Sequence, residues 1–230
     1  MTNERLPISL IIPCRNEAQN LELLLPAVTG LAEEVLIVDG NSTDHTRQLA
    51  EKYGVGFILD DGRGKGAAVR LGIERASRNV IVLMDADMSH DPRDILALAK
   101  PILDDQADLV LGSRMHGGSD EFVATTNEVV RLFGNIGLTW LINLRCGSKL
   151  SDSQNGFRAA RTSLLRSLRL TSRKHTIELE MIMRALRAGV RVIEVAAHES
   201  ARRFGTSQLS VWKQGWLFFL IYVRECVRPL

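Results

Sequence analysis

Hydrophobic residues follow two alternating patterns along the first half of this chain. Short, nearly continuous apolar runs at 8–12, 35–38, 55–59, 80–84 and 109–111 read as buried strands. Between them, apolar residues recur at helical spacing. Leu21, Leu24, Leu25 and Val28 fall on one face of a helix within 18–31. Further helices are predicted over 43–53, capped by Ser42 or Thr43, over 65–76, and over 92–103 with Pro92 in the first turn. Asp87 and Ser89 are the candidate caps of the last one. Strand–helix alternation predicts an α/β fold: a mostly parallel, Rossmann-like central sheet with helices on both faces.

The second half is less regular. Residues 116–121 read as a mobile loop, 125–145 as one long helix, 156–160 as a strand, 176–188 as a helix and 190–195 as a strand. Phe133, Trp140 and Phe157 are assigned to the core. The segment 212–227 is apolar, but Lys213, Gln214, Arg224, Glu225 and Arg228 interrupt or flank it. With Trp212, Trp216 and Tyr222 it suits a helix lying in a membrane interface. A helix packed on the core or on a second copy of the chain fits equally well, so a homo-oligomer stays open. No repeat or low-complexity linker divides residues 1–230, which are read as a single domain.

Composition narrows the function classes. At 230 residues the chain can bury a sizeable core, and its net charge of +2 gives no reason to expect nucleic acid as a partner. The basic residues cluster between 145 and 203, which points to an anionic ligand near that half. Cys14, Cys146 and Cys226 have neither paired nor metal-type spacing and fit a reducing compartment. No signal peptide and no bilayer-length apolar run are visible. A cytoplasmic protein is expected, with peripheral contact to the cytoplasmic membrane face as an option.

The sharpest chemical signal is Val82-Leu83-Met84-Asp85-Ala86-Asp87. A buried strand runs into two carboxylates at i and i+2, which share one face of an extended backbone. Such a pair suits a hard divalent cation, Mg²⁺ or Mn²⁺, completed by substrate phosphate oxygens. Two solvated acids in a turn would give the same local pattern. Ligands in parallel sheets bind at the carboxyl ends of strands, where Asp39, Asp85 and Asp87 all fall.

Four segments then carry a resemblance: Pro13-Cys14-Arg15-Asn16-Glu17, Val38-Asp39-Gly40-Asn41-Ser42-Thr43-Asp44, Gly64-Lys65-Gly66-Ala67-Ala68, and Met84-Asp85-Ala86-Asp87-Met88-Ser89-His90. Their order and spacing resemble family 2 glycosyltransferases of the GT-A fold. Gly112-Ser113-Arg114, Asp152, Asn155-Gly156-Phe157-Arg158, Ile177-Glu178-Leu179-Glu180 and Arg202-Arg203-Phe204-Gly205-Thr206-Ser207 are similar to the dolichol-phosphate mannose synthase branch.

The resemblance implies a nucleotide-sugar half at about 1–115, an acceptor half at about 116–208 and a C-terminal amphipathic helix at 209–230. It implies a GDP- or UDP-hexose donor touched by Pro13, Arg15, Glu17, Asp39 and Lys65. Asp87 would ligate the cation with Asp85 beside it. Arg114, Arg131, Gln154, Arg202 and Ser207 would bind substrate, and Asp152 and Arg203 would stand at the reaction centre. Asp152 is either a base or a residue that orients an arginine or the acceptor. Two departures touch the base pocket: Gly40 replaces the usual second acid and Cys14 a common aromatic.

The implied reaction is inverting, metal-dependent hexose transfer to a dolichyl or undecaprenyl phosphate. The alternative is the same donor chemistry on a soluble acceptor. A sugar-phosphate nucleotidyltransferase would need a glycine-rich loop where Pro13-Cys14-Arg15-Asn16-Glu17 stands. A non-catalytic nucleotide-sugar-binding module is the remaining alternative, disfavoured by the intact Asp85/Asp87 pair.

Overall fold

The computed structural model describes residues 5–120, 126–205 and 211–228. Among them, β1 (Leu6–Cys14), β2 (Ala32–Asp39), β3 (Gly56–Leu59), β4 (Val80–Leu83), β5 (Leu109–Ser113), β6 (Arg158–Arg161) and β7 (Val192–Ala196) form one sheet. Its order is β3-β2-β1-β4-β6-β5-β7. β6 runs antiparallel to both neighbours, and all other pairings are parallel.

The apolar strand runs are continuous because both faces are covered. Ile8, Leu10, Ile12, Val35, Ile37, Val80 and Val82 point into one core layer. Ile11, Leu36, Val38, Ile81 and Leu83, the alternate positions, point into the other. The first layer is closed by α1 (Ala18–Val28), α2 (Thr46–Lys52) and α4 (Ile95–Leu103). The second is closed by α3 (Lys65–Arg75), α7 (Thr162–Ser167) and α8 (Ile177–Arg187). A short α5 (Arg114–Gly117) follows β5, and α6 (Thr126–Cys146) and α9 (Val211–Val227) flank the second layer.

Several sequence expectations need correction. Ser42 and Thr43 do not cap α2. Ser42 Oγ bonds Asp39 and accepts from Asn16 N, while Thr43 N donates to Asn16 Oδ1. Asp44 serves the helices instead, accepting from Thr46 N at 3.1 Å and from Ala18 N at 2.9 Å. The helix predicted over 92–103 opens as a 3-10 turn, Pro92–Asp94, capped by Asp91 rather than Asp87 or Ser89. Of the expected loop at 116–121, residues 116 and 117 end the helix Arg114–Gly117 and Ser119 bridges to Glu199, whereas residue 121 lies outside the described residues.

Phe157 is buried as expected, but Phe133 is 68% and Trp140 61% exposed. Both lie on the outer face of α6 with Ile136 and Leu144. α9 divides its residues likewise. Phe218, Ile221 and Tyr222 pack on the core, while Trp216, Phe219, Leu220, Val223 and Val227 are exposed. α9 is fastened by a buried ionic knot. Arg184 bonds Glu225 at 3.0 Å and also pairs with Glu180, and both acids are fully buried. No helix among the described residues is long and apolar enough to cross a membrane.

Candidate active site

β1, β2 and β3 stop level with one another, Cys14 beside Asp39 and Asp39 beside Leu59. The chain reverses there through Asn16 and Asn41, both at positive φ, a conformation asparagine tolerates. Beyond this edge lies a cavity of about 760 Å³. Pro13, Arg15, Glu17, Lys65, Asp85, Asp87, Arg114, Arg131, Gln154 and Arg202 all line it.

The centre of the cavity is a set of buried charges. Lys65 starts α3 behind Gly64, whose φ of +114° suits only glycine. Its ammonium bonds Asp85 at 2.6 Å and Glu178 at 2.8 Å. Gly156 lets a loop close over this pair, because a Cβ there would sit 2.9 Å from both Lys65 Nζ and Asp85 Oδ2. Burial alone would raise the Asp85 pKa, but Lys65 outweighs it and the carboxyl is pushed down to about 2. Burial alone would lower the Lys65 pKa, but Asp85 and then Glu178 outweigh it and raise it. Asp85 therefore stays ionised and Lys65 protonated.

Asp87 follows in a turn whose next residue, Met88, has φ +64°, an uncommon conformation for a bulky side chain. Ser89 N and Oγ donate to Asp87 Oδ1 at 3.1 and 2.6 Å. Arg202 donates to Asp87 Oδ2 at 2.8 Å and to Glu17 Oε1 at 3.0 Å, bridging the two acids across the cavity. Arg203 is exposed, and its backbone N–H reaches Asp87 O at 3.4 Å. Of the two neighbouring arginines, Arg202 is the one that points into the cavity.

These acids fit a divalent cation. No three His, Cys, Asp or Glu side chains among the described residues form a metal cluster. A cation completed by diphosphate oxygens and water needs only one or two carboxylates. The guanidinium on Asp87 and the ammonium on Asp85 mark both as places where positive charge is held.

Behind Arg114 stands Asp152, which is 0% exposed. Its carboxylate receives Arg114 at 2.6 and 3.1 Å and Asn135 Nδ2 at 2.9 Å. Burial alone would raise its pKa, but the bonds and charge of Arg114 hold it below the usual range. Arg114 also reaches Glu199 at 3.1 Å. The Asp152 carboxylate is thus engaged by three side-chain donors, two of them from Arg114.

Asp39 does not line the cavity. It is buried, and its oxygens accept from Ser42 N at 2.9 Å, from Ser42 Oγ and from the Cys14 thiol at 3.8 Å. These bonds tie the end of β2 to Cys14 and Ser42. Ser207 lies outside the described residues. His90, His175, Glu178, Glu199 and Asp60 line the cavity but were not singled out from sequence. Of these, His90 and Glu178 carried a signal, through their places in Met84-Asp85-Ala86-Asp87-Met88-Ser89-His90 and Ile177-Glu178-Leu179-Glu180.

His90 stacks on Phe157 with ring centroids 4.8 Å apart. Burial holds its pKa below the usual range, against the opposing pull of Asp85, Glu199 and Asp87. The unfolded chain therefore binds a proton more readily than the native one. This contribution to stability is present above about pH 6.5 and is lost as pH falls below it. Lowering the pH from about 7.5 to about 5.5 should depress the melting temperature, and less so in His90→Gln. Parallel slopes in the two proteins would remove His90 from this account.

A model of the family described as "Glycosyl transferase family 2" matches residues 9–169. The chain belongs to glycosyl transferase family 2.

An uncharacterized glycosyltransferase of Mycobacterium tuberculosis is 32% identical over 205 residues, covering 88% of this chain and 89% of that protein. The undecaprenyl-phosphate mannosyltransferase of Micrococcus luteus is 32% identical over 216 residues, covering 87% and 86%. Glucosyl-3-phosphoglycerate synthase of M. tuberculosis, solved with Mn²⁺, UDP and glucosyl-3-phosphoglycerate, superposes with a TM-score of 0.75 at 20% identity, covering 97% of this chain and 81% of that one. This likeness speaks for the GT-A fold.

Proposed function

We propose that the protein transfers a hexose from a nucleotide-diphosphate sugar to a polyprenyl phosphate, with inversion at the anomeric carbon. The observation that carries the acceptor is continuity. The arginine-bearing half of the cavity runs directly into the exposed apolar faces of α6 and α9, where Phe133 and Phe219 line its mouth. A phosphate-bearing lipid needs both surfaces at once. A soluble acceptor needs only the first. The undecaprenyl-phosphate mannosyltransferase of M. luteus supports the lipid reading.

In this reading Glu17 takes hydroxyl or N–H donors of the nucleoside, and Pro13 and Arg15 wall its slot. Asp87, with Asp85 beside it, would hold Mg²⁺ or Mn²⁺. When bound, such a cation supplies electrostatic relief for charge developing on the departing diphosphate. Lys65 fixes Asp85 in its ionised state. Arg131 and Arg202 draw the acceptor phosphate in, an arginine fork suiting a phosphate's paired oxygens. Arg114, held by Asp152 and Glu199, adds positive charge at a fixed place. The phosphate oxygen is already ionised near neutral pH, so its attack on the anomeric carbon needs no proton removed.

The test is a panel of GDP- and UDP-hexoses with Mg²⁺ or Mn²⁺. Nucleoside-diphosphate release is followed with a short polyprenyl phosphate, with 3-phosphoglycerate, or with neither. Release that depends on the lipid phosphate is expected. Release with 3-phosphoglycerate alone would move the assignment to the soluble acceptor. Liposomes containing anionic lipid should also carry the protein upward in flotation, and failure to float would count against a membrane-bound acceptor.

A further inference from the structure

α6 and α9 run side by side in parallel. Tyr222 Oη donates to Leu141 O at 3.2 Å, and Arg145 donates to Cys226 O at 3.3 Å, the same offset of 81 residues in each case. At that offset Gly134 lies level with Gly215. A Cβ added at Gly134, Gly137 or Gly215 would meet nothing within 4 Å. All three glycines line the cavity, together with Leu138, Leu141 and Phe218. The helices are therefore tied toward their C-terminal ends and parted toward their N-terminal ends. The gap is apolar, and it opens into the cavity beside Arg131 and Asn135.

We infer that this gap between α6 and α9 is the subsite for the first isoprene units of the acceptor, those nearest its phosphate. The inference rests on the polyprenyl phosphate reading above and adds where the chain lies. Three features select this occupant. Arg131 and Asn135 line the cavity on α6, where a ligand's anionic head would meet them, while Arg145 at the tied end is spent on Cys226 O. The walls are aliphatic and aromatic, with bare glycine backbone between them, matching an unfunctionalised hydrocarbon. The outer side of the gap meets the exposed stripe of Trp140, Trp216 and Leu220, so a longer chain leaves toward an apolar surface and not into water.

The gap predicts a chain-length effect. With wild-type protein, KM should fall from dimethylallyl to geranyl to farnesyl phosphate by about tenfold per added unit, since each unit buries several carbons. Gly137→Leu fills the gap. It meets open space and gains helix propensity, so its melting temperature should be no lower than wild type. In this variant the gain per isoprene unit should disappear, while the Kd of the nucleoside diphosphate measured by calorimetry stays the same. Gly215→Leu, on the opposite wall, should act alike. Wild-type chain-length profiles in both variants would overturn the gap as the subsite while leaving the acceptor reading standing. No transfer by wild type to any of the three prenyl phosphates would overturn both.

Discussion

Replacing Asp87 by alanine should lower turnover by at least about 10³-fold, the scale on which removing a preorganised electrostatic group from a reaction centre acts. In the proposed reading Asp87 meets the donor diphosphate in exchange for its bond from Arg202, while Asp85 stays held by Lys65 beneath the glycine loop at 156. Asp87→Asn keeps the bonds from Ser89 within reach but loses the charge, and it should be nearly as inactive. The loss should come with weaker Mn²⁺ binding in the presence of nucleoside diphosphate, followed by electron paramagnetic resonance. Circular dichroism should stay native, since Arg202 keeps Glu17 as a partner. Full wild-type activity in EDTA, or a nearly normal Asp87→Ala enzyme, would sink the metal site.

The second large effect concerns Asp152. An asparagine there turns an amide N–H toward Arg114 and leaves a guanidinium with one fewer counter-charge in the interior. Breaking a buried ion pair from one side costs about 3–5 kcal/mol. For a chain of this size that is a fall of about 6–20 °C in melting temperature. KM for the acceptor should rise as Arg114 loses its aim, and the pH–rate profile should keep its shape. A general base would behave in the opposite way. Its removal would cut kcat by about 10²–10⁴-fold, erase one limb of the profile and leave the melting temperature in place. That second pattern would return Asp152 to the role of base and favour a hydroxyl acceptor.

Much of this architecture is legible in the chain because parallel strands buried on both faces write themselves as unbroken apolar runs. The runs at 8–12, 35–38 and 80–84 fall inside β1, β2 and at β4, and the acids after them stand at the sheet edge where the cavity lies. The position of β6 was not legible. It inserts between β4 and β5 from far along the sequence, and nothing local in Arg158–Arg161 reports its direction. The buried pairs share this difficulty. Lys65 and Glu178 are 2.8 Å apart in space but distant in sequence, and each alone reads as a solvated charge. Phe133 and Trp140 fail for a different reason. Spacing tells that residues share a helix face but not whether that face meets protein or its surroundings.

The ionic knot beneath α9 has a consequence for the azimuth of that helix. Hydrophobic packing alone would be nearly indifferent to rotation, since Trp216, Phe219 and Leu220 are as apolar as the Phe218 and Ile221 that face inward. Glu225 removes that indifference. A turn of one residue, about 100°, would swing its carboxylate out of the cluster in which it holds Arg184 at 3.0 Å, leaving that buried guanidinium with Glu180 as its remaining carboxylate. Charge on the hidden side thus chooses which greasy side is shown.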